Sequence, residues 1–238
     1  MGYDVLNDTQ KSLYRKIKAA AHAFYTGTAA AEGVSYGSDE EKLPCFAIVS
    51  NTDSSLSNED TVKVISMFRN DNPMYFFVGN NYLYSMDYDF ETEGNYVGAV
   101  YIACVEEYTS GTARQAERRA LETQITAARE QVEAQDTAGA KARAANDWLC
   151  NSLTYAYDAS GNPDDSMASH SIVGAFDERY CAAVCEGYAK AFQLLMNAAG
   201  VANAQSNVVI YGVVDTGFIK ENGSDTRMGS NIDNRIGF

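Results

Sequence analysis

The feature that most constrains the fold is a block of aromatic and β-branched residues in the first half of the chain. Residues 74–78 (MYFFV), 82–86 (YLYSM) and 96–102 (YVGAVYI) form three such runs, separated by the turn-forming stretches 79–81 and 93–95. Runs of this length and composition between turn residues are typical of β-strands. The sequence therefore predicts an antiparallel meander in this region.

Helical patterns lie on both sides of that block. On its N-terminal side, an apolar stripe follows a capping residue at Asp8 or Thr9, and a second helix begins near Asn58 and ends before Pro73. On its C-terminal side, the composition changes at Thr112 to Ala, Glu, Arg and Gln with a narrow apolar stripe, as in a long exposed helix. Helices on both sides of an antiparallel block predict the α+β fold class.

The charge of the chain argues against several classes of partner. The 238 residues include 32 acidic and 18 basic side chains, which give a formal net charge of −14. Such a surface repels phosphate backbones and anionic lipid headgroups, so a nucleic acid partner is not expected. No apolar run reaches the roughly 18 residues of a membrane span, so membrane insertion is not expected either.

The five cysteines do not follow the pattern of a disulfide scaffold or of a zinc site. Cys181 and Cys185 are spaced to share a helix face, but His22 and His170 are far from that pair in the sequence. No metal and no cofactor are therefore expected. The cysteines are odd in number and widely spread, at Cys45, Cys104, Cys150, Cys181 and Cys185.

Cys185 is the position where a cysteine nucleophile would lie. A strongly helical pattern follows it and closes near Gly200. A thiol in the first turn of a helix faces unpaired backbone N–H groups and the positive end of the helix dipole, and both favour the thiolate. Free cysteine is also among the most buried residue types, so a core cysteine is the alternative interpretation.

Three stretches of the chain resemble one known family. Residues 184–201 read VCEGYAKAFQLLMNAAGV and closely resemble the nucleophile helix of bacterial transglutaminase-like domains. The stretch NDWLCNSLTY at 146–155 resembles the helix end that precedes the core of that family. The stretch SIVGAF at 171–176 resembles its segment just upstream of the cysteine. Together the similarity covers residues 112–215.

The resemblance implies a transglutaminase-like core, with helices packed on an antiparallel sheet, at residues 111–238. A smaller α/β N-terminal region precedes it at 1–110. The resemblance also implies a papain-like site, in which a cysteine on a helix attacks an amide carbonyl with the help of a histidine and an aspartate. Cys185 matches the cysteine of the family. At 227–232, where the histidine motif is expected, the chain reads RMGSNI, and no histidine follows Cys185.

His170 is the substitute base that the chain offers, ahead of the cysteine in the sequence. Its other interpretation is a polar residue at the rim of the cleft. Asp215, Asp225 and Asp233 are candidate orienting carboxylates, and turn residues are the simpler interpretation of them.

Three functional hypotheses follow from the resemblance. The first is a cysteine-dependent peptidase or acyltransferase that acts on peptide or protein substrates, cell-wall peptides among them, through Cys185. The second is a catalytically inactive binding or adhesion module of a bacterial surface protein. In the third, the tail from about Asp215 is not family sequence, as in a truncated or frame-altered product.

The location and the assembly of the protein are less constrained. The N-terminal stretch from Leu6 to Tyr14 and the DNP at 71–73 loosely resemble the leader region that precedes this domain in bacterial surface proteins. That resemblance and the acidity favour an extracellular or cell-surface location, although the first residues lack the features of a signal peptide. The substrate and the oligomeric state are left open.

Overall fold

The described part of the chain contains six α-helices, two short 3-10 helices and eight strands. The computed structural model describes residues 2–36, 41–51, 56–88, 96–201, 218–219 and 227–228. The helices are α1 (Asp8–Thr26), α2 (Asn58–Asp71), α3 (Gly111–Glu133), α4 (Ala138–Ser152), α5 (Ile172–Phe176) and α6 (Cys185–Ala198). The strands are β1 (Glu32–Tyr36), β2 (Glu41–Asn51), β3 (Val78–Tyr88), β4 (Tyr96–Cys104), β5 (Thr154–Tyr155), β6 (Ala182–Ala183), β7 (Phe218–Ile219) and β8 (Arg227–Met228).

Side-chain caps fix where α1, α2 and α4 begin. The Asn7 side chain accepts the Gln10 backbone N–H, and the Gln10 side chain accepts the Asn7 N–H, which satisfies two N–H groups of the first turn of α1. The predicted cap at residues 8–9 is therefore wrong, because Gln10 completes a capping box with Asn7. Ser57 caps α2 and Thr137 caps α4 through their hydroxyls.

An antiparallel four-stranded sheet with the order β1-β2-β4-β3 confirms the α+β class. β3 and β4 pair from Val78 opposite Cys104 to Tyr88 opposite Tyr96, which confirms the antiparallel pairing of the second and third predicted runs. The first predicted run, 74–78, is wrong as a strand, because only Val78 belongs to β3 and the residues before it form turns.

Buried aromatic side chains explain that difference. Tyr75, Phe76 and Phe77 are consecutive and all buried, whereas a strand would point alternate side chains to opposite faces. The Phe77 ring lies 5.0 Å from that of Phe24 and 5.2 Å from that of Phe46, centroid to centroid. The turn backbone thus directs three successive rings towards the core, a result that local composition does not distinguish from a strand.

The two predicted turns have different outcomes. The stretch 79–81 lies inside β3, where the pairing with β4 shifts register between Val78 and Tyr82. A Cβ at Gly79 would lie 3.1 Å from the Ala103 carbonyl oxygen, so a glycine allows this close approach of the two strands. The stretch 93–95 lies outside the described residues.

The buried Arg114 joins α3 to the end of α1. Its guanidinium carbon lies 3.4 Å from the centroid of the Phe24 ring, and its Nε donates to the Phe24 carbonyl at 2.8 Å. The other guanidinium nitrogens donate to the carbonyls of Gly27, Ala29 and Tyr108. These contacts cross the predicted boundary at residue 110, and one apolar core continues across it; the boundary itself stays a prediction.

The C-terminal helices pack on one another and carry the region of interest. Trp148 of α4 stacks on Phe176 of α5, with ring centroids 5.3 Å apart, and Leu195 of α6 is fully buried. The short strands β5 and β6 pair in parallel just before α6 begins. In the described part of the chain, no helix is both long enough and apolar enough to cross a membrane.

Candidate active site at the start of helix α6

Cys185 is the first residue of α6 and its side chain is exposed. The residue before it, Val184, has no side-chain cap, so protein side chains leave the first N–H groups of the helix unsatisfied. The helix spans 14 residues, and buried Ala191 and Leu195 anchor it in the core. The alternative of a core cysteine is therefore wrong for this position, and the thiol lies at the positive end of a well-anchored helix.

The chain approaches α6 along the parallel pair of β5 and β6. Thr154 pairs with Ala182 and Tyr155 with Ala183, so β6 ends immediately before the helix cap. Cys181, with a φ of 48°, takes the left-handed conformation at the entry to β6. Cys181 is therefore outside α6, and the predicted shared helix face of the two cysteines is wrong.

A glycine brings the first turn of α6 close to the segment 166–171. A Cβ at Gly187 would lie 2.3 Å from the carbonyl oxygen of Ser169, closer than any real contact. That same oxygen accepts the N–H of Val184 at 3.0 Å. The segment 166–171, called here the docking segment, thus lies directly against the helix start because residue 187 has no side chain.

His170 belongs to the docking segment and is held by two side chains of α6. Its Nδ1 lies 2.9 Å from Glu186 Oε2, and its carbonyl oxygen accepts from Lys190 Nζ at 3.0 Å. Glu186 and Lys190 also form an ion pair of 2.7 Å along the same helix face. We call Glu186 and Lys190 the His170 clamp. Arg69 of α2 adds a more distant cation, 4.0 Å from Glu186.

In the His170 clamp, burial and the neighbouring charges act in opposite directions on the pKa values of Glu186 and Lys190. Burial raises the pKa of Glu186, but hydrogen bonds from Lys190 and His170 and the charges of Lys190 and Arg69 outweigh it, so the net shift is downward. Burial lowers the pKa of Lys190, and Glu186 counteracts that shift. The Lys190 side chain is only 13% exposed, so its charge requires the carboxylate beside it.

The structure places His170 against Glu186, the residue that follows Cys185. In the described part of the chain, the imidazole hydrogen bonds to Glu186, and no hydrogen bond joins it to the Cys185 sulfur. Because Nδ1 faces the carboxylate, Nε2 is the ring nitrogen left for a second partner. Asp215, Asp225 and Asp233, the carboxylates considered from the sequence, lie outside the described residues.

Tyr155 lies on β5, paired with Ala183 on the strand that leads into Cys185, and the sequence did not single it out. Burial is the main cause that raises the pKa of the Tyr155 phenol, and the charge of the nearby Cys185 thiolate raises it further. The Tyr155 ring lies 5.0 Å from that of Tyr157, centroid to centroid. In the sequence, Tyr155 could have been noticed from its position at the end of the stretch 146–155, which resembles the family.

No metal site emerges near these residues. Among the residues that the structure describes, no three His, Cys, Asp or Glu side chains are grouped in a way that could hold an ion. The functional groups that this region offers are the thiol of Cys185 and the imidazole of His170, which is held by a carboxylate.

Comparison with families of known proteins identifies this region. Residues 125–213 match the family model of the transglutaminase-like superfamily. This segment of the chain is similar to a transglutaminase-like domain. The match runs from α3 through α6, includes both His170 and Cys185, and confirms the resemblance of residues 184–201. Searches of curated proteins and of solved structures give no significant match.

Proposed function

We propose that this transglutaminase-like chain is a cysteine-dependent peptidase or acyltransferase that acts on amide bonds of peptides or proteins. Cys185 is the nucleophile and His170 its base. The observation that carries the proposal is the exposed thiol at the uncapped start of α6, within the segment that matches the family. Presentation of a thiol at a helix N-terminus is a known way to activate a cysteine nucleophile.

The proposed reaction has two steps. His170 Nε2 takes the thiol proton, and the Cys185 sulfur attacks the carbonyl carbon of the scissile amide. The tetrahedral intermediate then collapses to a thioester, and the amine leaves with the proton from the imidazolium. Water or a second amine attacks the thioester, releasing an acid or a new amide and restoring the thiol.

The hydrogen bond of His170 to Glu186 supports its role as the base. In cysteine and serine enzymes, a carboxylate on one imidazole nitrogen fixes the ring and stabilises the imidazolium that forms. Glu186 meets this requirement from the residue next to the nucleophile. The proposal requires Nε2, the other ring nitrogen, to come within hydrogen-bond reach of the Cys185 sulfur.

The substrate class and the location are part of this proposal. Peptides or proteins, including cell-wall peptides, suit a thiol that is open to solvent, and an extracellular or cell-surface location follows from the resemblance. The acidic surface, with a net charge of −14, disfavours nucleic acid substrates.

Alkylation by iodoacetamide at several pH values, followed by mass spectrometry of each cysteine, tests the nucleophile. Cys150 is the matched comparison because it is also exposed, but it lies near the end of α4. At pH 6 we expect Cys185 to react about tenfold faster than Cys150, since a helix N-terminus favours the thiolate. The Cys185→Ser variant should lose this label alone.

Equal rates at the two thiols, with labelling only near pH 8–9 as for an ordinary thiol, would reject the proposed activity. The domain would then be better described as the inactive binding or adhesion module.

A further inference from the structure

A small cleft lies where the end of α2, the turns before β3 and the docking segment meet. Apolar side chains such as Pro73, Phe76 and Met167 line it, and Arg69 and Lys190 are the charged residues that the structure describes in its walls. We call it the Arg69 cleft. Its space of about 310 Å³ is open to solvent, and its walls are so close that only a group of a few atoms fits between them. Because Met167 belongs to the docking segment and Lys190 to the His170 clamp, the cleft adjoins the candidate active site.

Arg69 brings hydrogen-bond donors to this cleft that no acceptor meets. It lies in the last turn of α2, and its side chain is only 21% exposed. Among the residues that the structure describes, its guanidinium donates no hydrogen bond, and its ion pair with Glu186 is 4.0 Å long. That distance is beyond hydrogen-bond reach. Donors that are removed from water without a partner cost free energy, so the guanidinium can gain from an acceptor in the cleft.

Lys190 has one donor to spare beside Arg69. Its ammonium carries three N–H groups, of which one points to the His170 carbonyl at 3.0 Å and one to Glu186 Oε1 at 2.7 Å. The Arg69 contact ends on the same Glu186 oxygen, so the two cationic groups are close neighbours. Burial lowers the pKa of Lys190, and the charge of Arg69 adds to that shift.

The Arg69 cleft therefore has more positive than negative charge. In the described part of the chain, Arg69 and Lys190 share one carboxylate, that of Glu186. A largely buried charge that is not compensated is costly, so a second carboxylate in the cleft would complete the balance. The planar fork of an arginine suits a carboxylate, because it donates two parallel hydrogen bonds to the two oxygens. This local excess stands out in a chain with a net charge of −14.

We propose that the Arg69 cleft is a substrate-binding subsite, in which Arg69 and the free N–H of Lys190 bind a carboxylate group of the peptide or protein substrate. The size of the cleft suits this group, and its apolar walls suit the carbon atoms that carry it. The carboxylate is either that of an acidic side chain or the free C-terminus of a peptide. The inference rests on the proposed function, because the ligand is the substrate of Cys185.

Binding of three tripeptides to the full chain tests the subsite. One peptide has glutamate at its centre and both ends blocked, the second has glutamine at its centre and both ends blocked, and the third has central glutamine and a free C-terminal carboxylate. Isothermal titration calorimetry gives the Kd of each peptide. All variants carry Cys185→Ser, so no peptide is consumed and the result does not depend on the reactivity of the thiol.

We expect at least one of the two peptides with a carboxylate to bind about tenfold or more tightly than the blocked glutamine peptide, because hydrogen bonds between charged groups are the stronger ones. The peptide that shows the advantage identifies the source of the carboxylate. Arg69→Gln should abolish the advantage. Arg129→Gln is the matched control, since Arg129 is an arginine of α3 that pairs with Glu133, and it should keep the advantage in full.

Equal affinity for all three peptides would overturn the inference. An advantage that persists in Arg69→Gln would overturn it as well, because the carboxylate would then bind elsewhere. Thermal unfolding reports whether each variant is folded. Where Arg69→Gln is not, Arg69→Lys decides, since it keeps the charge and removes the fork: we expect it to reduce the advantage at least threefold or so, and an unchanged advantage overturns the subsite.

The failure of this inference can be told apart from the failure of the proposed function. A Cys185 thiol that reacts with iodoacetamide no faster than Cys150 rejects the proposed function, whichever peptide binds. A fast Cys185 thiol together with equal peptide affinities leaves the proposed function standing and removes the subsite alone.

Discussion

Cys185 and Glu186 are neighbours in the chain, yet the first turn of α6 presents them to different surroundings. Successive residues of a helix are rotated by about 100°. Cys185 is exposed and follows directly on the end of the β5–β6 pair. Glu186 instead holds His170 and Lys190, on the face that lies against the docking segment.

The two faces of the first turn of α6 meet different requirements of a nucleophilic site. A reactive atom must be reachable by substrate, while the groups around it must be held in position. The Cys185 face is open, and the docking-segment face supplies the rigidity through Gly187 and the His170 clamp. The docked face can therefore be weakened without touching the thiol, which makes its contribution measurable.

The strongest expected effect comes from removing the imidazole. We expect His170→Ala to reduce the rate of acetylation of Cys185 by p-nitrophenyl acetate by at least about 10²-fold, because general base catalysis typically contributes 10²–10⁴-fold. His22→Ala is the matched control, since His22 is an exposed histidine of α1. Acetylation of His170→Ala at the wild-type rate would leave His170 with a docking role only.

The next effect is on the contact between α6 and the docking segment. In Gly187→Ala, the new methyl group would meet the Ser169 carbonyl at 2.3 Å, so one of the two backbones must move. We expect the free energy of unfolding in urea to fall by about 1–3 kcal/mol, the usual cost of overpacking. Ala189→Ser, at an exposed position of the same helix, should stay within about 0.5 kcal/mol of the wild type.

A drop in acetylation rate larger than the drop in alkylation rate should accompany the loss of stability in Gly187→Ala, because His170 moves with the docking segment. A variant that is destabilised but keeps both rates would show that the two faces are independent.

The smallest effect is expected from the charge of Glu186. The folded state lowers the pKa of this carboxyl, so its stabilising contribution is present above the unfolded pKa, about 4.3, and is lost as the pH falls through the folded pKa. Glu186 is 41% exposed, so we expect Glu186→Gln to cost less than about 1 kcal/mol at pH 7.

Urea unfolding of Glu186→Gln and wild type at pH 7 and pH 3 measures that contribution. The difference between them should be smaller at pH 3 than at pH 7, and a difference that grows on acidification would contradict the assigned direction of the pKa shift.

Local patterns carried the prediction of several elements. The start of α6 at Cys185 and its end near Gly200 follow from apolar residues at helical spacing and from a glycine with a φ of 72°. The pairing of β3 with β4 follows from aromatic and β-branched runs. These features depend on residues that are close in sequence, so they can be predicted without the tertiary structure.

The aromatic run at 74–78 shows where such reading fails. Its composition predicts a strand, but the packing of Phe77 against α1 and the sheet gives turns instead. Asn7 caps α1 in place of the predicted Asp8 or Thr9 for a related reason. Its reciprocal pair of hydrogen bonds with Gln10 outweighs the preference of a single residue for the cap position.

The sequence alone thus predicts a thiol at a helix start and shows that one segment is similar to a family, while the partners of that thiol depend on tertiary contacts. Tyr155 is joined to the strand before Cys185 by a two-residue parallel pair, which is too short to leave a periodic signal in the sequence. His170 meets Glu186 because Gly187 admits the docking segment to the helix. Such contacts join residues that are distant in sequence, and they form only when packing fixes the backbones that carry them.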